Sequence, residues 1–134
     1  MIFGPSWSGK SDLALRCIMQ PRSRLIDQQA VLVSDDRVAL KKGGGSLLAS
    51  PPDHIAGLLE VRGLGLYRLP YDSDIPVGLA VQLTAADQIE RLPDPAETYD
   101  VLGVALPTLR MSAFECSSAY KLLLAVSTIE RLPI

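Results

Sequence analysis

The octet Gly4-Pro5-Ser6-Trp7-Ser8-Gly9-Lys10-Ser11 fits the spacing G-x-x-x-x-G-K-[ST], and no other feature of this chain limits its fold so tightly. A loop of this length turns successive backbone N–H groups inward around phosphate oxygens, at the positive end of the helix that follows. Lys10 then reaches the outer phosphates, and the Ser11 hydroxyl is placed for Mg²⁺. A chance match in a chain this long has a probability on the order of 0.5% from average residue frequencies, which favours a built phosphate site over a Gly/Ser-rich linker. The pattern asks for a strand before the loop and a helix after it. Ile2-Phe3 reads as the end of that strand. Lys10 to Gln20 reads as the helix: Ser11 and Asp12 suit its first turn, Leu13, Leu15, Cys17 and Ile18 make its apolar surface, and Pro21 stops it.

Beyond this unit the apolar pattern shortens to strand length. Ala30 to Val33 is a β-branched run expected to form a strand covered on both faces, and Arg37 to Leu40 a second. Lys42-Gly43-Gly44-Gly45 is the expected turn, with Leu47 to Ala49 as hairpin partner. Pro51-Pro52 break the pattern, and Asp53 to Glu60 reads as a helical turn or loop. Val77 to Leu83 is another strand, Asp87 to Leu92 a short helix, and Val101 to Leu109 extended with Pro107 at or beyond an edge. A closing helix is expected over Ser118 to Arg131, with Tyr120, Leu123, Leu124 and Thr128 on its core face. One phosphate-loop helix, several β segments and a closing helix predict an α/β fold whose mixed sheet includes antiparallel strands.

Composition bounds the function classes. With 134 residues, 48% hydrophobic and 21% charged, the chain is one globular domain, 1–134, with enough apolar surface for a core. A net charge of −2 argues against nucleic acid as a main partner. The densest apolar run, Leu122 to Val126, falls far short of the roughly 18 residues a membrane span needs. No basic and apolar leader follows Met1, so no signal peptide is expected. Cys17 and Cys116 form neither a metal-spaced pair nor a disulfide framework; both are assigned to packing near helices, in a reducing compartment. His54, the single histidine, is assigned to a surface loop.

A phosphate loop that does chemistry needs carboxylates near the metal and near an incoming hydroxyl. Asp35-Asp36 follow the Ala30 to Val33 run, at the end of a strand where open α/β sheets place ligand chemistry. Adjacent residues point different ways, so one can lean on a metal while the other faces an acceptor; alone, the pair also reads as an acidic surface turn. Glu60-Val61-Arg62-Gly63-Leu64-Gly65 is the third feature. Its glycines free the backbone for a bent, exposed path, and Glu60 and Arg62 share a side if extended. By itself this too reads as an ion pair in a glycine-containing loop.

Taken together, Gly4 to Arg16, Val33-Ser34-Asp35-Asp36-Arg37-Val38, Pro51, Ala56-Gly57-Leu58-Leu59 and Glu60 to Gly65 resemble the catalytic domain of HPr kinase/phosphorylase. The last stretch looks like that family's own signature, and the likeness is strongest to its short proteobacterial forms. The resemblance implies a P-loop kinase fold of the phosphoenolpyruvate carboxykinase-like type, assembled as a hexamer in the cytoplasm. It implies phosphorylation of a serine on the phosphocarrier protein HPr with ATP or pyrophosphate and Mg²⁺, and the reverse phosphorolysis. Carried onto this chain, Gly4 to Ser11 hold phosphate and Ser11, Asp35 and Glu60 face the metal. Asp36 is the general base, Arg62 positions Glu60, and Arg110 serves phosphoryl transfer.

Three departures shape what is expected of the site. Trp7 stands where the family carries a glycine; if the position needs φ > 0, the residue is strained by about 1–3 kcal/mol and its bulk crowds a nucleotide. The family's histidine upstream of the loop strand has no counterpart here, and the strand itself is cut to Met1-Ile2-Phe3, so the domain is expected to lack its N-terminal strand or strands. A serine protein kinase/phosphorylase is therefore weighed against a P-loop kinase for a small molecule and against a degenerate phosphate-binding sensor without turnover.

Overall fold

The computed structural model describes residues 1–92, 94 and 97–129. Along the chain run β1 (Ile2–Phe3), α1 (Lys10–Ile18), β2 (Ala39–Gly43), β3 (Ser46–Ser50), β4 (Leu58–Val61), β5 (Gly65–Arg68) and β6 (Ile75–Pro76). They are followed by β7 (Ala80–Leu83), β8 (Thr98–Val101), β9 (Val104–Met111) and α2 (Ser118–Thr128), with single 3₁₀ turns at Asp53–Ile55 and Ala86–Gln88. A four-stranded sheet in the order β1-β7-β9-β8 lies at the centre. β1 and β9 flank β7 in parallel, whereas β8 joins β9 antiparallel through a two-residue turn. The expected mixed α/β sheet and C-terminal helix are both present.

Side chains alternate across β7, so both faces of the sheet are buried. Val81 and Leu83 point to the helices, where they meet Leu13 and Cys17 of α1, Met111 of β9, and Ala119, Leu122 and Leu123 of α2. Ala80 points the other way, onto Leu106 and Leu47, where β2 and β3 with β6 form a three-stranded sheet. Leu13 is fully buried, worth about 1.5–3 kcal/mol of apolar transfer. With Cys17 it seats α1, and with the helix the loop at its start. The β2–β3 hairpin turns through Gly44 and Gly45 at φ 59° and 80°, the two left-handed positions a tight two-residue turn requires.

Several sequence expectations shift. Ala30 to Val33 forms no strand: Leu32 makes a single bridge to Tyr71 and is buried, while Val31 is largely exposed. With one bridge and no ladder, the run anchors a loop by one side chain. The second strand begins at Ala39 rather than Arg37, and Gly43 belongs to the strand rather than the turn. α1 ends at Ile18, capped at Met19, two residues before the expected stop. Of Asp87 to Leu92 only the first two residues are helical, in the 3₁₀ turn Ala86–Gln88, which runs into extended backbone at Ile89. Pro107 lies within β9, where pairing passes from β8 (through Pro107) to β7 (from Thr108), so its missing N–H interrupts neither ladder.

α2 buries Ser118, Ala119, Leu122 and Leu123, and exposes Tyr120 and Leu124, which were expected in the core. The apolar residues encircle this helix, so periodicity alone could not choose its inner face. Cys116 is exposed rather than packed. Arg131, the expected helix end, lies outside the described residues.

Candidate functional site

The loop between β1 and α1 is shaped by its second glycine. Gly9 has φ 86°, and a Cβ there would approach the Ala113 Cβ to 2.9 Å, so backbone conformation and space both demand glycine. The first bond within α1 runs from the Leu13 N–H to the Gly9 carbonyl at 2.9 Å. The N–H groups of Lys10, Ser11 and Asp12 precede it and have no carbonyl partner inside the helix, which makes this end a partial positive charge. Lys10 folds back over the loop: its Nζ donates to the Gly4 and Pro5 carbonyls at 2.9 Å each and lies 3.5 Å from Ser8 Oγ. Among the described residues no carboxylate pairs with Lys10, and its hydrogen-bond partners are neutral oxygens.

Asp35 ties three distant segments together. Its Oδ1 accepts from the Ser11 hydroxyl at 2.7 Å, and its Oδ2 from the backbone N–H of Glu60 at 3.1 Å. The sequence-predicted metal ligands Ser11 and Asp35 therefore touch, and β4 is drawn against them with Glu60 exposed beside Asp35. Asp36 is exposed, with φ 56°, and the Arg37 N–H to Asp35 carbonyl contact of 2.5 Å closes a three-residue turn around it. A left-handed aspartate in so tight a turn carries strain of about 1 kcal/mol or more. Its exposed carboxylate lies next in the chain to Asp35 but takes no part in the Ser11–Asp35–Glu60 contacts.

The donor set suits Mg²⁺. A hydroxyl and a carboxylate in mutual contact supply the one or two hard oxygens that Mg²⁺ usually takes from protein, with water and phosphate oxygens completing its shell. Among the described residues no three His, Cys, Asp or Glu cluster into an all-protein cage.

The Glu60 to Gly65 stretch is the end of β4, a hairpin turn and the start of β5. Val61 accepts from the Leu64 N–H at 2.9 Å across the turn, and Gly63 and Gly65 take positive φ, as the bent path required. Leu64 is exposed at the tip. Here the structure shows a contact that sequence reasoning missed: the Arg62 guanidinium lies 3.9 Å over the Trp7 ring. Trp7 has φ 69°, so the glycine-like conformation expected at this position is present, at a strain of about 1–3 kcal/mol. Its indole is 77% exposed, with the Arg62 guanidinium against one face. No spacing rule links residues 55 positions apart, so nothing in the sequence could have signalled the stack.

Arg110 sits elsewhere. On β9 it makes two bonds to Glu97 Oε1, 2.8 Å from Nε and 2.6 Å from Nη2, at the wall of an open groove of about 860 Å³ that Lys121 and Glu115 also line. Glu97 raises the Arg110 pKa still further by hydrogen bonding and charge. Among the described residues no hydrogen bond or ion pair joins Arg110 to Lys10 or Asp35. Cys17 is buried against α2, and burial pushes its thiol up to about 11, opposed weakly by Arg16. His54 is exposed in the 3₁₀ turn, as expected.

The fold and this corner define a mixed α/β domain with a C-terminal helix, and comparison with known proteins gives it a family. Residues 1–130 match the family model described as the HPr Serine kinase C-terminal domain, and the chain belongs to that family. An HPr kinase/phosphorylase of Clostridium tetani is 41% identical over 70 residues, covering 52% of this chain and 20% of the relative. One from Bordetella pertussis is 36% identical over 117 residues, covering 79% of this chain and 35% of the relative. The chain thus spans about a fifth to a third of the length of these curated relatives. The solved structure of the Hpr(Ser) kinase/phosphatase from Coxiella burnetii superposes with a TM-score of 0.71 at 26% identity, over 97% of this chain and 79% of that one.

Proposed function

We propose that this domain carries out Mg²⁺-requiring transfer of a phosphoryl group from ATP or pyrophosphate to a serine of HPr or an HPr-like phosphocarrier, and the reverse phosphorolysis. The observation that carries this reading is the convergence of Ser11, Asp35 and the Glu60 N–H at the start of the phosphate-loop helix. Three stretches read separately from the sequence meet there, and family membership supports a kinase/phosphorylase-type reaction. The same reading assigns the domain to the phosphoenolpyruvate carboxykinase-like P-loop kinases, working in the cytoplasm as a homo-oligomer, a hexamer by family analogy. Among the described residues no helix is long and apolar enough to cross a membrane.

In this mechanism Lys10 exchanges its two carbonyl partners for phosphate oxygens, and the free N–H groups of α1 and the loop Gly4 to Gly9 cradle the rest. Ser11 and Asp35, with Glu60 beside them, hold Mg²⁺, which when bound screens the charge of the phosphate oxygens. The carrier serine attacks the terminal phosphorus; Asp36 takes its proton as the P–O bond to the leaving group breaks. In phosphorolysis, inorganic phosphate attacks and Asp36 returns the proton to the departing serine. Arg110 serves the charge on the transferring group once released from Glu97.

The test incubates the protein with Mg²⁺, labelled ATP and HPr, and looks for phosphoserine. Transfer that Lys10→Ala removes supports the reading; undiminished transfer by Lys10→Ala would refute the phosphate-loop assignment. A second reading is a phosphate-binding sensor without turnover, favoured by the ion pair that occupies Arg110. Mg²⁺-dependent binding of ATP with no phosphoserine would select it. A small-molecule kinase reading has no observation of its own in the structure.

A further inference from the structure

We propose that Trp7 is a positioning residue: its indole holds the Arg62 guanidinium at the rim of the phosphate loop, making Arg62 a ligand for the outer phosphate of a diphosphate or triphosphate. The inference rests on the reading of Gly4 to Ser11 as a phosphate site, and adds to it a residue that comes from another segment.

The argument begins with the stack. The guanidinium carbon lies 3.9 Å from the centroid of an indole that belongs to the middle of the loop. A stacked guanidinium spends its face on the ring and keeps its in-plane N–H edge for other partners. Among the described residues no carboxylate, carbonyl or hydroxyl oxygen takes those N–H groups from Arg62. Arg16 and Arg110 differ from it, the first being paired with Asp12 and the second with Glu97. Arg62 is therefore a cation held by a neutral surface, with its donors open, stacked on Trp7 of the loop whose Lys10 is also held only by neutral oxygens.

Trp7 alone could not place Arg62 if the hairpin were free to drift. The hairpin is pinned a second time, two residues earlier, where the Glu60 N–H meets Asp35 and Asp35 meets Ser11. The two links run from one hairpin to two points of one octet, to Trp7 in the middle of the loop and to Ser11 in the helix. A residue at left-handed φ with its side chain in solvent has no packing role that would offset the strain. Holding Arg62 supplies one.

Titration calorimetry of the full chain with magnesium pyrophosphate tests this, each variant first shown to unfold at the wild-type temperature. Loss of a charge-assisted donor predicts about tenfold weaker binding for Arg62→Ala. Loss of the stack alone predicts about threefold weaker binding for Trp7→Asn, which tolerates the same backbone. Trp7→Phe, keeping an aromatic face, should restore affinity to within about twofold of wild type. Because Trp7 acts only through Arg62, the double variant Trp7→Asn/Arg62→Ala should bind as Arg62→Ala does. Trp7 is the single tryptophan, so its emission should respond to pyrophosphate in the wild type and lose that response in Arg62→Ala. Additive losses, a Trp7→Asn protein that binds as wild type, or a Trp7→Gly protein that binds more tightly overturn the proposal. Wild-type binding that depends on Lys10 but not on Arg62 overturns it while leaving the phosphate site standing. Absence of pyrophosphate and ATP binding in the wild type overturns both.

Discussion

At the loop corner Lys10 is held by two carbonyls and a hydroxyl, and Arg62 by an aromatic face; on β9, Arg110 is held by the carboxylate of Glu97. All three are cations, yet their readiness for an anion differs. Neutral partners orient a charge without cancelling it, so phosphate oxygens can replace them with a gain in Coulomb energy. A carboxylate cancels the charge, and an incoming phosphate must first separate the pair. Under the proposed function the corner could take an anion without breaking an ion pair, whereas Arg110 would need a change of partner first. The difference also separates the two functional readings, since in the proposed mechanism binding needs only the corner and turnover needs Arg110 as well.

The sharpest way to break this contrast is a pair of alanine variants. Lys10→Ala should cost phosphoryl transfer to HPr about 10³-fold or more, and remove pyrophosphate binding with it. Arg110→Ala should leave binding nearly intact while lowering transfer, as calorimetry and phosphoserine formation would show; equal loss of binding would put Arg110 in the ground-state site. Asp36 gives the next effect. Asp36→Gly suits the left-handed backbone, so its stability in urea should match or exceed wild type by up to about 1 kcal/mol. Transfer should fall by about 10²-fold or more for want of a base. A variant that is active would remove Asp36 from the chemistry and leave its strain without a function.

Glu97→Gln then sharpens the comparison from the other side. It removes the charge that occupies Arg110 but keeps the side chain's shape, and transfer should rise modestly with no measurable change in melting temperature. A fall in transfer equal to that of Arg110→Ala would show that the pair acts as one unit. The smallest effect checks the packing beneath the corner. With its thiol up at about 11, Cys17 holds on the order of one thiolate in a thousand at pH 8. Iodoacetamide should therefore label exposed Cys116 alone in the native protein, and both cysteines in urea. The same displacement sets a pH window: burial favours the neutral thiol, so its stabilising effect is intact below the ordinary thiol value of 9.0. It is lost as pH climbs from there towards about 11. Thermal unfolding should show that decline, and Cys17→Ala should flatten it.

How much of this was legible beforehand follows from the range of each interaction. The phosphate loop and α1 could be read because their causes lie within a few residues: Gly9 for the left-handed turn, the first-turn residues, and Leu13 and Cys17 on one face. The β2–β3 hairpin could be read for the same reason, its turn being written in Gly44 and Gly45. Ala30 to Val33 misled because apolar β-branched residues describe a strand only if a neighbour supplies a ladder, and Leu32 finds a single bridge. α2 misled because a helix apolar on most sides does not say which side meets the sheet.

The site divides in the same way. By itself the sequence determined that an octet with phosphate-loop spacing opens a helix, that Asp35-Asp36 and Glu60 to Gly65 are its companions by resemblance, and that the domain mixes helices and strands. Only the tertiary structure decided that Asp35 would join Ser11 to Glu60, that Trp7 would stack on Arg62, and that Glu97 would hold Arg110. The reason is physical. Backbone conformation and capping are set by neighbours in the chain, but which charges and rings meet across 13 to 55 residues is set by how the sheet and hairpins pack.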